Sequence, residues 1–173
     1  LLLEDGHCFF DASVLDAPEL NENIFFETLD TVVQILSRLA DELAEHIALI
    51  PVHNRFLLQR ILANVFERTE SCEVTFTTFK TIFFLRFVFP ALQTIDQYVP
   101  GTMTLDVKQS TAQVRVLVRY GQLLVNGKAS DPAGQYVISS AGRFTRTVRR
   151  IYKFFRTSVH CVSTESQGIS LQN

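Results

Sequence analysis

One arginine lies where the sequence is otherwise strongly apolar. Arg86 stands between Phe83-Phe84-Leu85 and Phe87-Val88-Phe89. A guanidinium keeps its charge in a protein and has five donors to satisfy, so burying it costs free energy unless acceptors surround it. Its chemistry is to bind anions or backbone carbonyls, not to act as a nucleophile or a base. Arg86 is therefore expected to reach the surface, unless acceptors surround it inside the protein.

Residues suited to nucleophilic or metal chemistry are sparse. The three cysteines, Cys8, Cys72 and Cys161, lie far apart and form no Cys-x-x-Cys pair. Free thiols are predicted, and neither a zinc site nor a disulfide framework. His7 is next to Cys8, but adjacent residues in a loop rarely face each other, so the pair does not predict a nucleophile. We expect no metal, no cofactor and no catalytic residue in this chain.

The net charge of −2 conceals an asymmetry along the sequence. Residues 1–45 hold eleven of the eighteen acids and one base, Arg38, whereas residues 132–164 hold no acid. That second region carries a basic series at helical spacing: Arg143, Arg146, Arg149, Arg150, Lys153 and Arg156. Such a series can steer an acidic partner, a nucleic acid or an anionic membrane surface. Alternatively, it is a solvated helix face, partly neutralised by the acidic first region.

The composition indicates one globular domain. A chain of 173 residues with 47% apolar residues is long enough to bury a core, and it has the composition of an ordinary soluble protein. No secretory signal is visible, so a cytoplasmic location is expected, with peripheral membrane contact through the basic series as an extension. Because Met103 is the only methionine, we expect the chain to be part of a longer protein.

Apolar spacing and breakers predict an all-α protein of about five main helices. Asn21 or Asn23 caps the first, which runs from Ile24 to Ile50, and Pro51 separates it from a second that opens at His53-Asn54 and ends near Arg68. The remaining expectations are a loop at residues 70–73, a buried central helix at 75–92, a loop at 98–104, helices at 109–126 and 139–157, and a turn at 131–134. Lys80 and Arg86 interrupt the central helix too often for a membrane span.

The segment around Arg86 resembles the signature of Ras GTPase-activating proteins. That signature is Phe-Leu-Arg-Phe, two variable residues, then Pro-Ala-Ile or Pro-Ala-Leu. Every fixed position is met here, by Phe84, Leu85, Arg86, Phe87, Pro90, Ala91 and Leu92.

The family's second landmark is a helix with Gln, three residues and Asn, preceded by a basic residue three places earlier. Gln122 and Asn126 match it, Arg119 takes the basic place, and Arg115 is basic as in neurofibromin-like members. A rival register would align Thr104-Leu105 and Lys108 with a family Thr-Leu-x-x-Lys, but it loses the Gln and the Asn together. The resemblance covers residues 21–160, which leaves 1–20 as a lead-in and 161–173, including the region from Ser163, as a frayed tail.

The resemblance implies a partial helical domain of the Ras GTPase-activating type, whose partner is a Ras-like small GTPase in its GTP form and not a nucleic acid. Members of the family insert an arginine finger that stabilises charge during GTP hydrolysis. Arg86 would support the finger loop, and Leu85, Pro90, Ala91, Arg115, Arg119, Gln122 and Asn126 would contact the GTPase or support the site.

This chain also departs from the family pattern. Residues 1–37 contain no Arg or Lys, so the finger is not in this chain. Phe89 replaces a small or polar residue, and Tyr120 and Gly121 replace aliphatic ones. Three functions stay open: a GTPase activator, a non-catalytic GTPase-binding module on the same fold, and a helical interaction domain with a basic membrane- or protein-binding helix.

Overall fold

A computed structural model describes residues 10–16, 21–94 and 107–167, with side chains described throughout except in 107–110 and 157–167. The described residues are helical and contain no strand, which confirms the all-α prediction. Two short 3-10 helices, Ala12–Asp16 and Ile47–Leu49, accompany the α-helices. The helices are α1 (Glu22–Glu45), α2 (Val52–Thr69), α3 (Cys72–Gln93), α4 (Val107–Asn126), α5 (Pro132–Ser140) and α6 (Gly142–Gln167).

Side-chain caps set the starts of the early helices. Asn21 caps α1 by accepting a hydrogen bond from the Ile24 amide at 3.2 Å. Pro51 separates α1 from α2 as predicted, but α2 begins at Val52 and not at His53-Asn54, since proline is well suited to the residue that precedes a helix. The loop predicted at residues 70–73 is shorter, because the Ser71 hydroxyl caps α3 and allows it to begin at Cys72.

The region after α4 differs most from the prediction. Gly127, with φ of 67°, ends α4 in the left-handed conformation, as the Asn126-Gly127 pair predicted. The turn predicted at residues 131–134 is wrong, because it is the start of α5. Asp131 Oδ2 accepts from the Gly134 amide at 3.0 Å, and Pro132 occupies the first turn, where its missing amide costs nothing.

The last helix is also longer than predicted. Helix α6 begins at Gly142 and not at Ser139, because Ser139 belongs to α5. It continues to Gln167, so residues 163–167 are helical and not a frayed tail. The loop predicted at 98–104, the end of the tail at 168–173 and the pair His7-Cys8 lie outside the described residues.

The core lies between α1, α3 and α6. From α1, Leu29, Val32 and Leu36 are fully buried. Helix α3 contributes phenylalanines that meet those of α6: the ring centroids of Phe79 and Phe155 are 5.8 Å apart, and those of Phe84 and Phe144 are 5.9 Å apart. The abundance of phenylalanine in the sequence therefore has a structural reason, because these rings fill the core and pack in tilted and edge-on pairs.

Helix α3 was predicted to be a buried central helix, and it is buried on one side only. Phe79, Phe83, Phe84 and Phe89 are buried, but Thr77, Arg86 and Phe87 are exposed. By length and composition, residues 72–93 also form a segment that could cross a membrane. Core helices of soluble proteins can have the same length and composition, and the phenylalanines of this helix pack on α6.

Candidate functional site

A widened turn in α3 determines where Arg86 points. The helix is α-helical over Cys72–Lys80, π-helical over Thr81–Val88 and α-helical again over Phe89–Gln93. In the π segment the Phe89 amide donates to the carbonyl of Phe84, five residues earlier. This wider spacing brings Phe79, Phe84 and Phe89, each five apart, to the buried side, where each is at most 1% exposed.

Pro90 provides a reason for the widened turn. Proline has no amide hydrogen and its ring clashes with the carbonyl four residues earlier, here that of Arg86. A π segment just before the proline relieves that clash. Because Pro90 has no amide hydrogen, the Arg86 carbonyl lacks its usual helical donor. Arg86 and Pro90 therefore lie on the same turn of the helix.

The Arg86 side chain is exposed. No hydrogen bond or ion pair joins it to any residue that the structure describes. Of the two expectations for Arg86, reaching the surface is the one observed in this chain. Support of a finger loop needs a loop that these residues do not include, so that role stays a prediction.

The residues predicted on α4 share one exposed face. Arg115, Arg119, Gln122 and Asn126 follow at spacings of four, three and four, which bring side chains to the same side of a helix. All four are exposed. We call these four residues the α4 outer face. Its two arginines have no ion pair with a described residue, and the Arg119 guanidinium lies 5.5 Å from the centre of the Tyr120 ring.

Two contacts hold α3 and α4 together beneath these residues. The Lys80 ammonium donates to the carbonyl of Val125 at 2.7 Å, at the last turn of α4. A cation there satisfies a free carbonyl and interacts favourably with the helix dipole. Burial lowers the pKa of Lys80.

The second contact joins two of the departures from the family pattern. A Cβ at Gly121 would lie 2.6 Å from Cζ and 2.7 Å from Cε1 of Phe89, and Phe89 is 1% exposed. The Phe89 ring therefore fills the space that a side chain at position 121 would need. The large residue on α3 and the missing side chain on α4 are complementary, which the sequence alone did not reveal.

Three of the other signature residues, Phe87, Ala91 and Leu92, line an apolar cavity. Leu85 is half-buried, and Pro90 and Ala91 are exposed. Ala91 lines a cavity of about 500 Å³ together with Phe87, which is 61% exposed. Other lining residues are Leu39 and Leu43 of α1, Ile50 between α1 and α2, and Asn54 and Leu58 of α2. The sequence predicted that Phe87 lies in a buried helix, so its position at the cavity was not expected. The local sign that the helix is irregular there was Pro90.

Side chains suited to metal binding or nucleophilic catalysis are not clustered in the described part of the chain. It contains no group of three or more His, Cys, Asp or Glu side chains that could hold a metal ion. Cys72 is exposed as a free thiol at the start of α3, while Cys8 and Cys161 have no described side chains. Arg86 and the α4 outer face can donate hydrogen bonds and attract anions.

Comparison with known proteins adds no further identification. No protein-family model, curated protein or solved structure matches this chain. The function therefore has to be argued from the residues and their placement.

Proposed function

We propose that this chain is the later part of a GTPase-activating domain of the Ras type. Its partner would be a Ras-like small GTPase in the GTP form. The chain would supply the binding surface and the support for an arginine finger, and GTP hydrolysis would be stimulated only when such a finger is present.

One observation carries the proposal. The polar residues that the family resemblance selects in two separate stretches, Arg86 and the α4 outer face, are all exposed. On a solvent-exposed helix face, Gln and Asn side chains need no protein partner, and an exposed Arg contributes little to the stability of the fold. Charged and amide side chains at fixed positions on two packed helices are therefore available to recognise a partner.

The chemistry of Arg86 fits a supporting role in such a complex. Its planar guanidinium presents donors that can reach backbone carbonyls of a loop laid across α3. In Ras-type systems a properly held finger raises the rate of hydrolysis by about 10³- to 10⁵-fold, because it stabilises charge in the transition state. A finger held loosely would lose much of that factor, since the guanidinium must meet the phosphate oxygens with correct geometry.

The absence of Arg and Lys from residues 1–37 favours a second candidate, a non-catalytic module that binds the GTPase without accelerating it. The two candidates differ in one respect. A longer protein with an arginine in a loop upstream would accelerate hydrolysis if the chain is an activator, and Arg86→Ala would remove most of the gain. Unchanged hydrolysis by such a protein would leave the binding module as the function.

A competition assay tests the proposal with the chain as it is. Single-turnover GTP hydrolysis by a panel of Ras-like GTPases is measured with a separate active GTPase activator, with and without an excess of this chain. We expect the chain alone to leave hydrolysis unchanged and to slow the activated reaction for at least one GTPase. No slowing for any GTPase, at concentrations well above that of the activator, would contradict the proposal.

A matched pair of variants makes the assay specific. Arg115→Glu/Arg119→Glu reverses two charges on the α4 outer face and should abolish the competition. Arg149→Glu/Arg150→Glu makes the same change in net charge on α6 and should leave the competition intact. Equal loss in both variants would show that the effect is one of overall charge.

A further inference from the structure

The basic series of the sequence forms one continuous exposed face of α6. All six cations, Arg143, Arg146, Arg149, Arg150, Lys153 and Arg156, are exposed. At 3.6 residues per turn they span an arc of roughly 140° and a length of roughly 20 Å. Phe144, Val148 and Ile151, on the opposite side, are buried. We call these six cations the α6 basic face.

Within the described residues, the acidic first region meets this face through Asp41 of α1, which also attracts Arg150. Arg143 pairs with Asp41 of α1, with an Nη2–Oδ2 distance of 2.7 Å. Arg146, Arg149 and Arg150 form no ion pair with a described residue. Two other acids of α1 have different partners: Asp30 accepts a hydrogen bond from Tyr136 at 2.8 Å, and Glu42 lies 3.7 Å from the His46 ring nitrogen. The centre of the face therefore keeps its positive charge.

The shape of the surroundings disfavours nucleic acid as the partner. At one edge of the face Arg143 is tied to α1, and at the other the Arg156 guanidinium lies 5.6 Å from the Phe66 ring of α2. A helix flanked on both sides cannot enter a major groove that is only about as wide as one helix. The face presents its cations outward to a broad surface instead.

The composition of the face disfavours a specific protein partner. Protein interfaces have an apolar centre that is depleted of charge. Here the exposed side chains between residues 143 and 156 are the six cations and Thr145. One exposed apolar side chain, that of Phe66, lies at the edge beside Arg156 and is 39% exposed. Many cations with an aromatic beside them are typical of proteins that rest on anionic lipid headgroups.

We propose that the α6 basic face binds the surface of an anionic phospholipid membrane, with Phe66 entering the headgroup region. This contact does not depend on the proposed binding of a GTPase, because the α6 basic face and the α4 outer face are on different helices. Each cation near such a surface strengthens binding about fivefold.

Vesicle sedimentation tests this inference. Phosphatidylcholine vesicles with about 30% phosphatidylserine should retain the chain at low ionic strength, and phosphatidylcholine alone should not. Retention should fall steeply at about 0.5 M salt, because added ions screen exposed charges. Retention on uncharged vesicles, or none on either kind, would overturn the proposal.

Two variants of equal charge locate the contact. Arg149→Glu/Arg150→Glu should lower retention by at least about 25-fold, the product of two fivefold losses, since reversal removes two cations and adds two anions. Arg115→Glu/Arg119→Glu should lower it far less. Circular dichroism should show both variants folded, as all four residues are exposed. Equal loss in the two variants would contradict a site on α6.

A third variant distinguishes lipid from other polyanions. Phe66→Ala should weaken retention on the phosphatidylserine vesicles several-fold and leave any binding of duplex DNA unchanged. Stronger binding to DNA than to vesicles, with loss in Arg149→Glu/Arg150→Glu, would overturn the proposal in favour of nucleic acid. Failure of vesicle binding together with intact competition in the hydrolysis assay would leave the proposed GTPase function untouched.

Discussion

The α4 outer face and the α6 basic face are both exposed, yet they are built on different principles. The first combines two arginines with two amides and lies on a helix whose position depends on close packing with α3. The second contains cations only and lies on a helix held by a broad apolar face. The first is suited to recognition that depends on shape, and the second to attraction that depends on the number of charges.

This difference predicts how substitutions at each face should affect stability and binding. A change in the packing beneath α4 should disturb both stability and recognition, because the positions of its side chains follow from that packing. A change at the edge of the α6 basic face should have little effect, since the remaining cations still attract an anionic surface. The following substitutions test this contrast, from the largest expected effect to the smallest.

Gly121→Val should have the largest effect. The new side chain would meet the Phe89 ring, which is 1% exposed, so α3 and α4 would have to separate. We expect the free energy of unfolding to fall by about 2–3 kcal/mol, measured by urea denaturation. Gly142→Ala is the control, because a Cβ at Gly142 would meet nothing within 4 Å.

The proposed complementarity can be tested in the same experiment. If Phe89 is the obstacle, Gly121→Val should cost less in a Phe89→Leu background than in the native chain. The interaction free energy from this double-mutant cycle should be about 1 kcal/mol or more. Strictly additive losses would contradict the contact.

The Phe89–Gly121 contact also illustrates what the sequence could and could not predict. Periodicity and breakers predicted five of the six described α-helices, a cap at Asn21 or Asn23 and the end at Gly127, because those signals are local. Phe89 and Gly121 each looked like a departure from the family, since their complementarity exists only when α3 packs on α4. Local signals at residues 131–134 read equally well as a turn or as a helix start, and so α5 was missed.

The candidate site was predictable as a set of residues but not as a surface. Spacing alone shows that Arg115, Arg119, Gln122 and Asn126 share a face of one helix. The exposure of Arg86 depends on the π segment, which apolar periodicity at 3.6 residues per turn does not reveal. The cavity lined by Phe87 depends on how α1 and α2 meet α3, which is information about tertiary packing.

Lys80→Met should have an intermediate effect. It keeps the aliphatic volume and removes the hydrogen bond to the Val125 carbonyl at 2.7 Å. We expect a loss of about 1 kcal/mol in the free energy of unfolding, because a charged donor to a helix end is lost while the cost of partial burial is relieved. Lys128→Met, at an exposed residue after α4, is the matched control and should change stability little.

Asp41→Asn should have the smallest effect. The Thr147 hydroxyl and then the Arg143 guanidinium hold the pKa of Asp41 below its usual value. Since the Arg143 partner is exposed, with 66% of its side chain accessible, we expect a loss of less than about 1 kcal/mol at neutral pH. Glu45→Gln, a similar charge change at the exposed end of α1, is the control. Binding to anionic vesicles should not weaken in Asp41→Asn.

The loss of stability in Asp41→Asn should depend on pH. A carboxyl whose pKa is lowered by folding stabilises the folded state above its unfolded pKa of about 4, and this contribution disappears as the pH falls through the folded pKa. The stability difference between the native chain and Asp41→Asn should therefore shrink below about pH 4 in thermal unfolding. A difference that grows on acidification would contradict the assignment.

The most direct test of the central claim is the affinity of the chain for a Ras-like GTPase in its two nucleotide states. Titration by fluorescence anisotropy would compare the GTP-analogue form with the GDP form, using the native chain, Arg115→Glu/Arg119→Glu and Arg149→Glu/Arg150→Glu. We expect binding at least about tenfold tighter to the GTP-analogue form, lost in the α4 variant and kept in the α6 variant, a difference of about 1.4 kcal/mol or more. Equal affinity for both nucleotide states, or equal loss in both variants, would contradict it.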